Sequence, residues 1–98
     1  MFVIASFADK ATRDIFDGTD SKEARTIPKQ LWNVAVRKLD MLNAASDLGD
    51  LRSPPADHLE KLKGDLAGFW SIRVNGQYRV IFRFTGGNAE DVRIADYH

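Results

Sequence analysis

The stretch FWSIRVNGQYRVIFRF, residues 69–84, decides the fold because its pattern predicts two β-strands joined by a tight connection. Apolar and polar side chains alternate along both halves, which is the period of a half-buried sheet. One face carries large apolar side chains, whereas the other is largely arginine, from Arg73, Arg79 and Arg83. The pattern therefore predicts a hairpin with one apolar and one cationic face.

The connection decides the register of this hairpin. A two-residue turn at Asn75-Gly76 would place Ile72 opposite Arg79 and mix the two faces. A three-residue loop over residues 75–77 keeps the faces apart, with Val74 against Tyr78, Ile72 against Val80 and Trp70 against Phe82. We therefore expect the longer loop, in which Arg73 faces Arg79. Because adjacent guanidinium groups repel, a polyanion lying across this face would relieve the repulsion.

The composition predicts one compact domain, residues 1–98, because 98 residues with 44% apolar content suffice for a single core. The absence of cysteine excludes a disulfide framework and a thiol nucleophile. With only two histidines, we expect neither a metal nor another cofactor. The apolar start MFVIASF is too short for a signal sequence or a membrane span, so we expect a cytoplasmic protein.

The charges balance overall but are unevenly distributed. Fourteen basic and fourteen acidic side chains cancel, which counts against a general nucleic-acid binder. Between residues 61 and 83, however, the only acid is Asp65, whereas the basic residues are Lys61, Lys63, Arg73, Arg79 and Arg83. Positive potential should therefore gather on the hairpin. The alternative is that these are solvated charges at the edge of the sheet.

The first half of the chain predicts two helices. Asp9 is a suitable N-cap for a short helix over Lys10 to Phe16, which Gly18 would end. Pro28 is placed as the first residue of a longer helix that should end near residues 48–49, with apolar residues at helical spacing. The polar run over residues 19–26 connects the two helices.

Short strands account for most of the remaining sequence. We expect a first strand over residues 2–7 inside the sheet, a short strand over 58–63 and a last strand over 92–97. A proline-rich link at Ser53-Pro54-Pro55 precedes the second half of the chain. The predicted fold class is α+β, with both helices packed on one face of a mostly antiparallel sheet.

The ending Asp96-Tyr97-His98 gathers side chains that exchange protons or form hydrogen bonds. One interpretation is a frayed end with a surface histidine. The other is a catalytic group beside Arg73 and Arg79, whose guanidinium groups suit a phosphate. Such a set is sufficient for RNA cleavage without a metal, because the ribose 2′-hydroxyl attacks while the protein supplies a base, an acid and cations.

A resemblance to a known family supports the second interpretation. The run LEKLKGDLAGFWSIRVNGQYRVIFRF, residues 59–84, followed by the terminal DYH, resembles the HigB branch of the RelE/ParE toxin superfamily, and RKLDMLNAASDLGDLRSPP, residues 37–55, extends the likeness. The resemblance implies a RelE-like fold similar to microbial ribonucleases. It implies a toxin of a type II toxin–antitoxin pair that cuts mRNA on the small ribosomal subunit, leaves a 2′,3′-cyclic phosphate and inhibits translation. Its expected partner is a HigA-like helix-turn-helix antitoxin, which alone would contact operator DNA.

The resemblance also implies which residues form the site. The catalytic residues would be Asp96, Tyr97, His98, Arg79 and Lys63, and RNA would be bound by Arg73, Lys61, Arg83 and His58. Some relatives have a catalytic histidine where Glu60 stands here, and His58 lies two residues away, on the same face if both belong to one strand. Two alternatives stay open from the sequence: a ParE-like gyrase poison, and a non-catalytic module that binds a protein.

Overall fold

The computed structural model describes residues 3–45, 47–52 and 58–96. Two helices, α1 (Lys10–Asp17) and α2 (Trp32–Ala44), pack on one face of a four-stranded antiparallel sheet. The strands follow one another in space as they do along the chain, namely β1 (Glu60–Lys61), β2 (Phe69–Arg73), β3 (Tyr78–Thr85) and β4 (Asn88–Asp96). The predicted α+β class is confirmed.

The central hairpin has the register that its alternating pattern predicts. Across β2 and β3 the paired residues are Trp70 with Phe82, Ile72 with Val80 and Arg73 with Arg79. The Asn75 side chain closes the loop, because its Oδ1 accepts from the N–H of Gln77 at 2.9 Å and of Tyr78 at 2.7 Å. A short polar side chain that bonds backbone two and three residues further on is a common way to fix a turn.

The core lies between the helices and the apolar face of this hairpin. Ile72, Val80 and Phe82 are fully buried and pack in one cluster with Leu39 and Leu42 of α2. The opposite face is less open than its arginines suggest, because Ser71 and Ile81 are also fully buried there. The expectation of a largely cationic face is therefore correct only for part of its area.

Helix α1 begins and ends at the signals that the sequence contains. The Asp9 side chain accepts from the N–H of Thr12 at 2.8 Å, which satisfies one of the free donors at the helix start. Gly18 has φ of 78°, a left-handed conformation that favours glycine, and its N–H bonds back to the last turn. The helix is one residue longer than predicted.

Helix α2 is shorter than predicted. A 3₁₀ turn, Lys29–Leu31, precedes it, and it ends at Ala44 rather than near residues 48–49. The reason lies beyond its end, where Asp47 starts a separate 3₁₀ turn by accepting from the N–H of Asp50 with both its side chain and its carbonyl. Aspartate competes in this way with a continuing helix.

The segment before α1 lies outside the sheet rather than inside it. Val3 to Ala8 runs parallel to the outer edge of β4 and forms isolated bridges, Ile4 with Ala89 and Phe7 with Val92. The prediction of an inner strand was wrong because β3 and β4 pair directly with each other as a hairpin. No strand can lie between them, so the segment pairs with the other edge of β4. Phe2 lies outside the described residues.

Two strand boundaries also differ from the prediction. The strand predicted over 58–63 consists of β1 alone, because His58 has φ of 46° and a 3₁₀ turn begins at Gly64. Strand β4 begins at Asn88, four residues earlier than predicted, and its register shifts near Asp91, where φ is 52°. The proline-rich link at residues 53–57 lies outside the described residues.

The connection between the helices is held by Asp14, whose side chain is buried. One carboxylate oxygen of Asp14 accepts from Lys10 Nζ at 2.5 Å and from Ser21 Oγ at 2.7 Å. Ser21 in turn accepts from the N–H of Ala24 at the start of a 3₁₀ turn. The hydrogen bond from Lys10, followed by that from Ser21, lowers the pKa of the Asp14 carboxyl below its ordinary value.

The variant Asp14→Asn should unfold at a Tm several degrees lower than the wild type at neutral pH, because an amide cannot pair with Lys10. A lowered folded-state pKa stabilises the protein above the carboxyl's ordinary range, and this contribution is lost as pH falls through the folded value. The two melting temperatures should therefore start to converge only below about pH 4 and become equal once pH lies below the folded pKa. The exposed Asp17→Asn is the control; equal Tm losses in both variants at neutral pH would contradict the assignment.

Among the described residues, no helix has the length and apolar character that crossing a membrane requires.

Candidate functional site

Arg79 lies on the sheet face that the helices leave uncovered, at the hairpin-loop end of β3. Its Nε donates to the buried hydroxyl of Ser71 at 2.7 Å, and a terminal nitrogen donates to the carbonyl of His58. The side chain therefore crosses β2 from β3 toward the β1 side of the sheet. A guanidinium has further N–H donors beyond these two bonds, so Arg79 is held in place and retains donors for a ligand.

His58 adopts an uncommon backbone conformation in front of β1. Its φ of 46° lies in the left-handed region, which costs a non-glycine residue roughly 1–2 kcal/mol. Its exposed side chain does not share a strand face with Glu60, contrary to the expectation from their spacing, because His58 precedes the strand. The hydrogen bond from Arg79 to its carbonyl holds this strained residue beside the site.

Arg73 is the cross-strand partner of Arg79, as predicted, but their guanidinium groups diverge. Arg79 extends to Ser71 and His58. Arg73 lies against the hairpin loop, where its Nη2 is 3.9 Å from the position that a β-carbon on Gly76 would occupy. The repulsion expected from the sequence is therefore relieved in part by the protein itself.

Two predicted RNA-binding residues lie away from this pair. The Lys61 ammonium group is 5.9 Å from the ring centre of Trp70, its cross-strand partner, and therefore belongs to the helix side of the sheet. Arg83 pairs with Asp91 at 3.1 Å, at the end of the hairpin far from its loop. Lys63 is exposed immediately before the turn at residues 64–66.

Asp96 ends β4 beside the hairpin loop. Its Oδ2 accepts from Gln77 Nε2 at 2.9 Å, and its cross-strand partner is Tyr78, so its side chain belongs to the face of Tyr78 rather than that of Arg79. The preceding residue, Ala95, is paired with Arg79. Strand β4 thus brings the start of the predicted C-terminal cluster to the Arg79 end of the sheet. Tyr97 and His98 lie outside the described residues.

A cleft of about 510 Å³ opens between α2, His58 and the hairpin loop. It is lined by Val34, Arg37, Lys38, Met41, His58, Arg73, Val74, Asn75 and Gly76. Sequence reasoning assigned no role to Arg37 or Lys38, because nothing in the spacing of α2 shows which side faces the loop before β1. In the described ranges, no three histidine, aspartate or glutamate side chains form a set that could hold a metal ion.

The geometry of the site agrees with a family relationship. The family model described as RelE-like toxin of type II toxin-antitoxin system HigB matches residues 5–98. The chain belongs to the HigB-like toxin family. This confirms the resemblance seen in the sequence, and the chain is accordingly the toxin of a type II toxin–antitoxin system, whose partner is an antitoxin.

Two curated relatives of this HigB-like toxin cover most of its length. Toxin HigB-1 of Vibrio cholerae is 45% identical over 83 residues, which are 85% of each chain. Endoribonuclease HigB of Proteus vulgaris is 32% identical over 97 residues, covering 98% of this chain and 100% of that protein.

Solved structures at lower identity share the fold of the HigB-like toxin. The YoeB-YefM toxin-antitoxin complex from Staphylococcus aureus has a chain that aligns with a TM-score of 0.58 at 18% identity, over 97% of both chains. The YoeB/ParE toxin from Agrobacterium tumefaciens aligns with a TM-score of 0.53 at 19% identity, over 95% of this chain and 98% of that one. The predicted RelE-like architecture is confirmed.

Proposed function

We propose that this HigB-like toxin is an endoribonuclease that cuts mRNA on the small ribosomal subunit and thereby inhibits translation. The observation that carries the proposal is the placement of Arg79. Its guanidinium is fixed by Ser71 and His58 on the uncovered face of the sheet, next to the strand that leads into the Asp96-Tyr97-His98 sequence. The Proteus vulgaris relative named Endoribonuclease HigB supports the same activity.

The proposed reaction needs no nucleophile from the protein. The ribose 2′-oxygen attacks the adjacent phosphorus, the bond from phosphorus to the 5′-oxygen breaks, and a 2′,3′-cyclic phosphate and a 5′-hydroxyl result. One protein group takes the proton of the 2′-hydroxyl and another gives a proton to the departing 5′-oxygen. We assign proton transfer to His98, assign Asp96 to orient it, and assign Tyr97 to stack on a base or donate to the phosphate.

Cations offset the charge that develops on the phosphoryl oxygens. Arginine stays protonated at any physiological pH and presents planar donors that match phosphate oxygens. We assign this role to Arg79, with Lys63 assisting it, and assign Arg73 and His58 to binding the RNA backbone. The placement of Lys61 beside Trp70 and of Arg83 beside Asp91 favours a more peripheral role for these two residues.

The proposed partners follow from the same function. A HigA-like helix-turn-helix antitoxin would bind the toxin and connect it to operator DNA, and the proposed site of action is the cytoplasm. Net charge zero distinguishes this chain from a strongly basic toxin, so the ribosome rather than free RNA is the proposed place of cleavage.

Primer extension on a defined mRNA tests this function. Wild-type toxin should produce cuts at discrete in-frame positions when ribosomes are present, no cuts without them, and no cuts when His98→Ala replaces the wild type. Fragments ending in a 2′,3′-cyclic phosphate would establish attack by the 2′-hydroxyl. Growth arrest in cells without any cut in the mRNA would refute the nuclease and point to gyrase or a protein target.

A further inference from the structure

We propose that the cleft between α2 and the hairpin loop binds one nucleotide of an RNA strand, with its phosphate held by Arg37 and Arg73. This inference rests on the proposed function and extends its RNA site from the sheet onto a helix. The cleft volume of about 510 Å³ falls within the range of roughly 300–1,000 Å³ that is usual for ligand sites.

The charge of the lining favours a phosphate. Arg37, Lys38 and Arg73 contribute fixed positive charges, His58 adds an imidazole, and none of the described residues that line the cleft is a carboxylate. Within the described part of the chain, the guanidinium groups of Arg37 and Arg73 have no hydrogen-bonded or ion-paired partner. In a protein of net charge zero, these two guanidinium groups repel each other, and a bound anion would offset that repulsion. Guanidinium groups bind phosphate oxygens in pairs of hydrogen bonds.

The cleft is continuous with the candidate catalytic face. Arg73 pairs across the strands with Arg79, and His58 both accepts from Arg79 and lines the cleft. Arg73 and His58 therefore connect the two sites: each contacts or pairs with Arg79, and each lines the cleft together with Arg37. An RNA strand whose scissile phosphate lies at Arg79 would continue past these two residues into the cleft.

The apolar part of the lining favours a whole nucleotide over an isolated phosphate. Val34 and Met41 of α2 contribute apolar wall to the same cleft. A thioether side chain adapts its shape to flat and irregular surfaces, which suits contact with a base or a ribose of any sequence. A bare inorganic anion would leave this surface unused.

Binding of a labelled single-stranded RNA, followed by fluorescence anisotropy over a series of salt concentrations, tests the inference. The RNA carries 2′-O-methyl groups, so it cannot be cleaved. We expect Arg37→Ala to bind roughly fivefold more weakly, as for loss of an exposed ion pair. The slope of log K against log salt should shrink by about 0.7, the value for one phosphate contact on a single strand. Arg37→Lys should retain the slope, and so should Arg13→Ala on α1.

An unchanged slope in Arg37→Ala, or no salt-dependent binding by the wild type, would overturn the inference. Because the RNA is not cut, the binding result is independent of catalysis. If the toxin fails in primer extension yet shows the change in slope, the nuclease proposal is refuted and the RNA-binding cleft is still supported. Repeating the binding with empty and with mRNA-carrying ribosomes identifies the RNA. Equal weakening for both assigns the nucleotide to ribosomal RNA, and weakening only with mRNA assigns it to the substrate.

Discussion

Replacing Arg79 with alanine should lower the rate of mRNA cleavage on the order of 10²–10³-fold, the usual effect of removing one fixed donor to a transition-state anion. The side chain also holds the carbonyl of His58 and satisfies the buried hydroxyl of Ser71. Leaving that hydroxyl without a partner should cost about 1–3 kcal/mol of stability, which a domain of this size tolerates. Arg79→Ala should therefore remain folded but nearly inactive in primer extension with ribosomes.

Two further variants separate the roles of Arg79. Arg79→Lys retains the charge but cannot reach Ser71 and His58 with one planar fork, so it should recover only part of the lost rate. Ser71→Ala retains the guanidinium and releases it from its anchor, so a reduced rate in this variant would show that positioning matters. Arg13→Ala serves as the charge-matched control. An unfolded Arg79→Ala protein, or one with wild-type cleavage, would refute the assignment.

Replacing Phe82 with alanine should have the largest effect on stability. Phe82 is the largest fully buried side chain among the described residues, and it packs with the helices from the centre of β3. Truncation of a buried phenylalanine costs about 3–5 kcal/mol through lost transfer free energy and the cavity that remains. Urea unfolding followed by circular dichroism should show this loss as a lower midpoint.

A second substitution keeps this test informative if Phe82→Ala does not fold. Phe82→Leu retains most of the buried volume and should lose a smaller part of the stability, so it should yield a measurable transition. Phe84→Ala, two residues further along β3 on the same face but only half-buried, should lose less than Phe82→Ala. A loss below about 1 kcal/mol for Phe82→Ala would contradict the packing described for the core.

The parts of the fold that the sequence predicts correctly are those that depend on local sequence patterns. The hairpin register follows from the alternation between residues 69 and 84, because a two-residue turn would place Ile72 opposite Arg79 and mix the two faces. Helix α1 follows from Asp9 and Gly18, which satisfy backbone groups that the helix leaves free. In both cases the decisive contacts lie within a few residues along the chain.

The features that sequence reasoning missed depend on distant parts of the chain. The position of Val3 to Ala8 depends on which edge of the sheet is open, and the conformation of His58 depends on a hydrogen bond from Arg79, which is 21 residues away. The role proposed for Arg37 depends on the fold, which brings His58 and the hairpin loop to the same cleft as α2. The catalytic assignments of Tyr97 and His98 stay predictions from the family resemblance.

The parallel pairing of Val3 to Ala8 with β4 has a consequence for when the toxin becomes active. Ser6 accepts from the N–H of Asp91, 85 residues further along the chain, and the same strand leads to Asp96. Contacts between residues so far apart in sequence form late in folding, because closing a long loop costs chain entropy before the contact contributes any stabilising free energy. A chain emerging during its own synthesis therefore lacks a complete sheet until β4 has been made, so the toxin should become active only after β4 has emerged from the ribosome that synthesises it.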